Sequence, residues 1–350
     1  MPMQRYAMIN ARALGAIPRF IRAEAGARGL ARACAVSGLP QGVENEDARY
    51  ITQRALMSFI DASARLVGDE RLGIQLAQHM TPDDYGVFGT YLLTAPTLLD
   101  ALERSRRALR WHSTHDEVAI AREGEFVRYS YHFARAGAFG YENTAYCVAG
   151  VLVSMIRAYL GANWRPERIE LDIPRTRNMN RAVDSFGCDV HPGSRQIAVL
   201  IPEHELSTPP VKARSEPAVT LADVEWARTR CAPARLSEAV GELVHLGLLG
   251  SSVSLDKVAE ELQLGTRTLQ RRLEQEGLQF RDIVNRARVE RARTLLAERS
   301  LSITRIATEL GYSAPTHFTR AFQREMGLSP RGYRRAISRS VQQRQASTER

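Results

Sequence analysis

The chain has 350 residues, enough for two or three domains each with its own core. Its 44% apolar and 25% charged composition is that of an ordinary globular protein and excludes disordered, collagen-like and low-complexity classes. A formal net charge of +9 calls for a polyanionic partner without separating nucleic acid from an anionic membrane surface. Cys34, Cys147, Cys188 and Cys231 show no C-x-x-C spacing, which argues against a zinc site or disulfide framework and fits a reducing cytosol. No uncharged apolar run approaches the ~20 residues of a membrane span. The stretch 85–99 is interrupted by Gly86, Gly89 and Pro96. With no signal-peptide pattern at the N-terminus, the expected location is the cytoplasm and no membrane partner is expected.

In chain order, residues 8–39 read as short Ala- and Arg-rich helices punctuated by Gly15, Pro18, Gly26 and Gly38. A longer helix is predicted over 48–67, where Ile51, Leu56, Phe59, Ile60, Ala64 and Val67 recur at helical spacing. Further helices are expected over 72–80 and 96–111. The period then changes. Residues 117–121 and 126–134 read as strands of a hairpin that turns at Arg122-Glu-Gly-Glu125. A long apolar helix follows over 141–160, then strands at 168–173 and 196–201 flanking a helix near 181–186. Pro209, Pro210 and Pro217 fall in an aperiodic stretch, 203–219, where a domain boundary is expected. Helical patterning resumes near Leu221, is continuous from Leu236, and gives way to a polar, frayed tail. The fold class is thus a helix-rich α+β N-terminal domain joined to an all-α C-terminal domain with two helix-turn-helix units.

That last element rests on an internal repeat. Ser254, Leu255, Val258, Ala259 and Leu262 recur 48 residues later as Ser302, Ile303, Ile306, Ala307 and Leu310. Beyond the turn the offset is 49, pairing Leu269 with Phe318, Arg271 with Arg320 and Leu273 with Phe322. A one-residue insertion in the second turn explains the change. Each copy reads as a helix with an N-cap serine, a small alanine at a close helix crossing, a turn, and a second helix. Gly265 and Gly311 are assigned to the tight turns.

With Leu269 and Leu273, or Phe318 and Phe322, turned inward, Arg267, Gln270 and Arg271 are left exposed on the first copy. Thr316, Thr319 and Arg320 are left exposed on the second, with Pro315 tolerated in the first helical turn. These side chains suit the major groove of double-stranded DNA, where Arg reads guanine and Gln reads adenine. Between the copies, residues 280–297 read as one helix of about 27 Å at ~1.5 Å per residue. That is the scale needed to hold two recognition helices near one DNA turn, ~34 Å, apart. Its arginines 281, 286, 288, 291 and 293 are placed to meet phosphates, some pairing with Asp282 and Glu290. Residues 236–339 carry 17 Lys plus Arg against 12 Asp plus Glu, more than half of the net charge in under a third of the chain.

Ser254-Leu-Asp-Lys-Val-Ala-Glu-Glu-Leu and Arg267-Thr-Leu-Gln-Arg-Arg-Leu resemble the first helix-turn-helix of the AraC/XylS family of bacterial regulators. Ile303-Thr-Arg-Ile-Ala-Thr-Glu-Leu-Gly-Tyr, His317-Phe-Thr-Arg-Ala-Phe and Gly327-Leu-Ser-Pro-Arg-Gly-Tyr-Arg334 resemble its second. The resemblance implies base reading at Arg267, Gln270, Arg271, Thr316, Thr319 and Arg320. Pro315 departs from the polar residue expected at its position and has no N–H to donate. The backbone amides at Ser254 and Ser302, at helix starts, are suited to phosphate. Gly68-Asp-Glu-Arg-Leu-Gly-Ile-Gln-Leu-Ala, Tyr85-Gly-Val-Phe-Gly-Thr-Tyr-Leu-Leu-Thr-Ala-Pro and Phe186-Gly-Cys-Asp-Val are similar to this family's arabinose-binding-type N-terminal domain. That likeness implies effector sensing, homodimerisation and contact with RNA polymerase. It divides the chain into a sensing and dimerisation domain (1–210), a linker (211–235), the DNA-binding domain (236–337) and a flexible tail (338–350).

For the unknown small-molecule effector, the polar aromatics clustered between 111 and 146 are the candidates: Trp111, His115, Tyr129, Tyr131 and Tyr146. His112 and His115 are three residues apart, but no cysteine or paired carboxylate at ligand spacing accompanies them, so they are read as structural and no metal or cofactor is expected. No nucleophile elbow, phosphate loop or zinc-protease motif is present, and no catalytic residue is assigned. The function expected is a sequence-specific regulator of transcription, an activator by analogy, under small-molecule control. The alternative is a non-inducible DNA binder whose first domain only dimerises.

Overall fold

Thr52, Thr97, Ser254 and Ser302 each start a helix by accepting a backbone N–H on the side-chain hydroxyl. The structure, a computed structural model, describes residues 6–46, 48–212, 219–228, 232–250, 253–298 and 300–337. They fall into two compact units, Met1–Arg235 and Leu236–Arg350.

The N-terminal unit begins with β1 (Met8–Asn10), leads into α1 (Ile17–Ser37) and returns through β2 (Tyr50–Thr52). β1 and β2 pair antiparallel, Ile9 opposite Ile51. α1 is broken at Gly26, whose φ of +70° no neighbouring helical residue shares. α2 (Gln53–Val67) is started by Thr52, whose Oγ1 accepts from the Ala55 N–H at 3.0 Å. α3 (Leu72–Ala77), α4 (Val87–Leu93) and α5 (Leu98–Ala108) follow. Thr97 caps α5: the Asp100 N–H donates to Thr97 Oγ1, and that hydroxyl donates to the Asp100 carboxylate at 2.8 Å.

The hairpin of β3 (Glu117–Glu123) and β4 (Phe126–His132) joins β5 (Arg168–Leu171), β6 (Asp189–Pro192) and β7 (Ile197–Pro202) in a sheet of order β3-β4-β7-β5-β6. Every neighbouring pair is antiparallel except β5 with β6. β7, at the centre, is buried along Ile197–Ile201, and β3, at the edge, is largely exposed. The longest helix of the sheet's cover is α6 (Tyr141–Leu160), with α7 (Met179–Phe186) beyond β5. α6 is long and apolar enough to cross a membrane, yet 67% of its apolar window is buried inside the unit, as befits a core helix. It packs on α3 through two glycines: a Cβ at Gly150 would overlap the backbone of Ala77, and one at Gly73 the backbone of Asn143. α8 (Leu221–Arg228) packs against α4 and completes the unit.

The expected helix over 48–67 is therefore a strand of three residues followed by a helix. The 96–111 helix ends at Ala108, with a 3-10 turn over Leu109–Trp111. The strands at β1 and β6 and the helix α4 lay outside the sequence reading. Strands of three or four residues carry no measurable period, and Gly89 sits in α4 because a Cβ there would overlap the Pro82 carbonyl. The tail at 338–350 lies outside the described residues.

The C-terminal unit is all helix: α9 (Leu236–Leu249), α10 (Leu255–Glu261), α11 (Thr266–Gln275), α12 (Phe280–Ala297), α13 (Ile303–Glu309), α14 (Pro315–Met326) and α15 (330–337). One half of α12 packs with α9. Its other half supplies Val289, Ala292, Leu295 and Leu296 to a core shared with α13 and α14.

Candidate nucleic-acid interface and internal cavity

The two helix-turn-helix copies, α10–α11 and α13–α14, repeat down to single hydrogen bonds. Ser254 Oγ accepts from the Lys257 N–H at 3.2 Å, and Ser302 Oγ from the Arg305 N–H at 3.1 Å. In the turns, the Leu264 N–H donates to the Ala259 carbonyl and the Tyr312 N–H to the Ala307 carbonyl, both at an offset of 48. After the turns, Leu269 donates to Gly265 and Phe318 to Ala314, at 49. The inserted residue is Ser313, whose hydroxyl meets His317 Nδ1 at 3.1 Å.

One assignment changes. The residue matching Gly311 (φ +73°) is Gln263, which itself adopts φ +54°, while Gly265 is extended at φ −70° and precedes α11 as its N-cap. Gly265 corresponds to Ala314, the N-cap of α14. The first turn thus holds a non-glycine residue in a left-handed conformation, at a cost that its surroundings must meet.

In each second helix one face is sealed. Leu269 and Leu273 on α11, and Phe318 and Phe322 on α14, are fully buried. The two Phe rings meet edge to face at 5.7 Å, and Phe322 meets Tyr333 likewise at 5.4 Å. Opposite these, Arg267, Gln270 and Arg271 are exposed, as are Pro315, Thr316 and Arg320. Thr319 is half-buried, and its hydroxyl donates to the Pro315 carbonyl at 2.9 Å, so towards an outside partner it offers a methyl group and an acceptor.

The Gly327–Arg334 motif closes the second copy. Ser329 Oγ accepts from the Gly332 N–H, Tyr333 Oη accepts from Arg293 Nε at 3.1 Å, and Arg334 donates to the carbonyls of Leu296 and Leu301. On α12, Glu290 pairs with His245 of α9 at 2.8 Å, and Arg288 lies over the Tyr312 ring at 5.1 Å. Arg281, Arg286 and Arg293 are exposed.

The N-terminal unit encloses a cavity of about 80 Å³ between α2, α4 and α6 and the β3–β4 hairpin. Tyr129 and Tyr131 of β4, with Phe133, line one wall as their alternation predicts. Their hydroxyls are engaged within the fold. Tyr129 Oη meets Ser105 Oγ at 2.8 Å, and Tyr131 Oη donates to Asp116 at 2.6 Å. Burial pushes the Tyr129 hydroxyl up to about 12. Burial, with the Asp116 carboxylate second, pushes Tyr131 well above its ordinary value. Asp116 is itself pushed up by burial, against hydrogen bonds from Tyr131, the Ala134 N–H and Gln53 that hold it down.

The other expected ligand residues are not brought to this cavity. Trp111 is buried beside it with Arg110 stacked on its ring at 4.0 Å. Tyr146 is buried facing Thr176 and Glu142. His115 is exposed, at φ +64°. His112, structural by its spacing, lines the cavity and stacks on Phe88 at 4.8 Å and Tyr85 at 5.2 Å. Its signal was its place at the end of an aromatic run, which spacing alone did not separate from His115. Burial also pushes the Cys147 thiol, on the α6 wall, up to about 12. Among the described residues there is no cluster of three or more His, Cys, Asp or Glu side chains arranged to hold a metal ion.

A helical unit carrying two helix-turn-helix copies on one connecting helix defines a DNA-binding transcriptional regulator. Residues 29–210 match the family described as the arabinose-binding domain of AraC transcription regulator, N-terminal, and residues 258–336 match a helix-turn-helix domain. The chain belongs to the AraC family of transcription regulators. It is 27% identical over 306 residues to the transcriptional regulator VirS of Mycobacterium tuberculosis, covering 85% of this chain and 88% of VirS. Over 83 residues it is 43% identical to the transcriptional activator RhaS of Escherichia coli, 23% of this chain and 30% of RhaS. The crystal structure of the transcriptional regulator CdpR from Pseudomonas aeruginosa aligns at a TM-score of 0.39 and 24% identity, covering 88% of this chain and 97% of that one.

Proposed function

We propose that this protein is a cytoplasmic, homodimeric activator of transcription whose binding to promoter DNA is controlled by a small molecule held in the N-terminal cavity. The observation that carries the DNA half is the pair of helices α11 and α14, each sealed on one face and bearing Arg267, Gln270 and Arg271, or Thr316, Thr319 and Arg320, on the other. Arginine and glutamine at such positions make bidentate contacts to purine edges, and α12 has the length to set the two helices in major-groove segments about one turn apart. The amides at the starts of α10 and α13, behind Ser254 and Ser302, are suited to the flanking phosphates.

The cavity supports effector control over the alternative of a non-inducible binder, for which a solid-packed first unit would suffice. In the proposed division of labour, residues 1–210 sense and dimerise, 211–235, whose α8 packs on α4, link, and 236–337 read DNA. The naming of RhaS as an activator supports activation, with RNA polymerase the partner that an activator must engage.

The test is a genome-wide footprint of the purified full chain on fragmented DNA, in moderate salt with competitor. A small set of strong sites upstream of genes, each with two protected blocks about one turn apart, is the expected result. A flat profile, with and without extracts of metabolites from the source cells, would refute sequence-specific regulation. A profile identical under every extract would favour the non-inducible alternative.

A further inference from the structure

The cavity of the N-terminal unit has a chemistry of its own, and it is not that of a sugar site. None of the side chains lining it is Asp, Glu, Lys or Arg. Its walls are aliphatic and aromatic, from Ile17 and Leu56 on one side to Val118 and Phe133 on the other, with thioethers from Met80 and Met155. The hydroxyls of Ser105, Tyr129 and Tyr131 are spent on partners within the fold. Thr144 differs. It is 1% exposed on α6, lines the cavity, and its Oγ1 has no hydrogen-bond partner among the described residues. A buried hydroxyl left without a partner is unfavourable, and a ligand that supplies one recovers that loss.

We propose that the effector is a small, neutral, largely apolar molecule with a single hydrogen-bonding group, such as a phenol or a short-chain alcohol, bound with that group on Thr144 Oγ1. The proposal rests on the effector reading above and names its ligand class. Each hydroxyl of a free sugar needs a polar partner that these walls do not offer. An ionised carboxylate or ammonium would enter a lining with no Asp, Glu, Lys or Arg side chain, whose one imidazole, His112, is stacked on Phe88 and Tyr85. Size points the same way: about 80 Å³ is several times the ~10–15 Å³ that one water needs and about half of an apolar cavity of ~150 Å³ that takes benzene. The ligand is therefore one ring or a short chain, seated as the flexible Met80 and Met155 side chains give way. A depression that does present charge, with Asp61, Arg65, Glu70, Glu142, Asp172 and Arg177, is a separate cleft on the surface.

The experiment is calorimetric titration and thermal unfolding of the full chain with phenol, toluene, benzoate and L-arabinose, on wild type, Thr144→Val and Val148→Phe. Phenol and toluene should bind saturably and raise Tm; benzoate and L-arabinose at the same concentrations should not. Thr144→Val keeps the shape and removes the hydroxyl, so it should cost phenol about three- to tenfold in affinity, the value of one hydrogen bond, and leave toluene unchanged. Val148→Phe, which fills the cavity, should abolish both. Retention of binding by Val148→Phe, an unchanged phenol preference in Thr144→Val, or binding of L-arabinose or benzoate without phenol would each overturn the proposal. Where Val148→Phe does not fold, the Thr144→Val comparison decides alone. Phenol binding with an unaltered footprint would support the cavity chemistry while defeating effector control, so the two readings fail separately.

Discussion

Arg271 and Arg320 stand 49 residues apart in the sequence and at the same place in the two recognition helices. Each lies two positions after a buried anchor, Leu269 or Phe318, and two before the next, Leu273 or Phe322. An arginine held this way keeps its stem on a rigid helix and its guanidinium free to fork onto a guanine edge. Arg271→Ala and Arg320→Ala should each lower affinity for a specific site by about 1–3 kcal/mol and relax preference at one base pair, with different base pairs for the two variants. Competition binding against single-base variants of the site measures both effects; unchanged base preference in both variants would sink the assignment. At this scale the sequence was informative where a side chain's burial follows from helical spacing. It was uninformative where backbone geometry decides. Gln263 takes the left-handed turn position that glycine fills in the second copy, and no periodicity marks that. Thr319 reads as an exposed polar residue, yet its hydroxyl is committed to Pro315.

Among the elements, α6 shows how one helix sets both the packing and the cavity. Its Gly150 lets the backbone of α3 come close at Ala77, and its Thr144, Cys147 and Val151 line the cavity. Gly150→Ala would drive a methyl into backbone that has no rotamer to yield. The expected loss is at the upper end of the ~1–3 kcal/mol usual for overpacking, read as a lower denaturant midpoint with an unchanged slope. A variant as stable as wild type would show that α3 and α6 move apart at no cost. The bounds of α6 were legible because twenty residues of apolar pattern between Gly140 and Gly161 leave little choice. The aromatic candidates scattered around it were less so. Trp111, Tyr129 and Tyr146 are buried and Tyr131 is half-buried, and only the sheet's tertiary pairing and the placement of α6 decide which of them meet empty space. The hairpin alternation put Tyr129 and Tyr131 on one face, while nothing local distinguishes a ring in the wall from a ring behind it.

For the molecule as a whole, the distribution of charge makes a prediction that does not depend on which bases are read. Residues 236–339 hold 17 Lys plus Arg against 12 Asp plus Glu, and several of the acidic groups are turned to other work. Glu290 faces His245, and the Glu276 carboxylate accepts the Ser237 N–H. Arg267 and Arg271 of α11, Arg281 and Arg286 of α12 and Arg320 and Arg324 of α14 remain exposed. If the three of these that are not assigned to bases, Arg281, Arg286 and Arg324, each neutralise a phosphate, log K should fall against log[salt] with a slope of about −3, on the rule of ~0.9 per neutralised phosphate. That is a loss of about fiftyfold between 50 and 200 mM salt. Base contacts and phosphate contacts then separate. Substituting Arg281 and Arg286 together with Ala should flatten the slope by about 2 and weaken all sequences alike, whereas Arg271→Ala weakens the specific site more than the rest. Fluorescence anisotropy of labelled specific and scrambled duplexes across a salt series reads both. A slope near zero for wild type would mean that the positive charge of this unit serves something other than the DNA backbone. A double variant that lost base preference at unchanged slope would mean that α12 lies in the groove, with the recognition helices placed elsewhere.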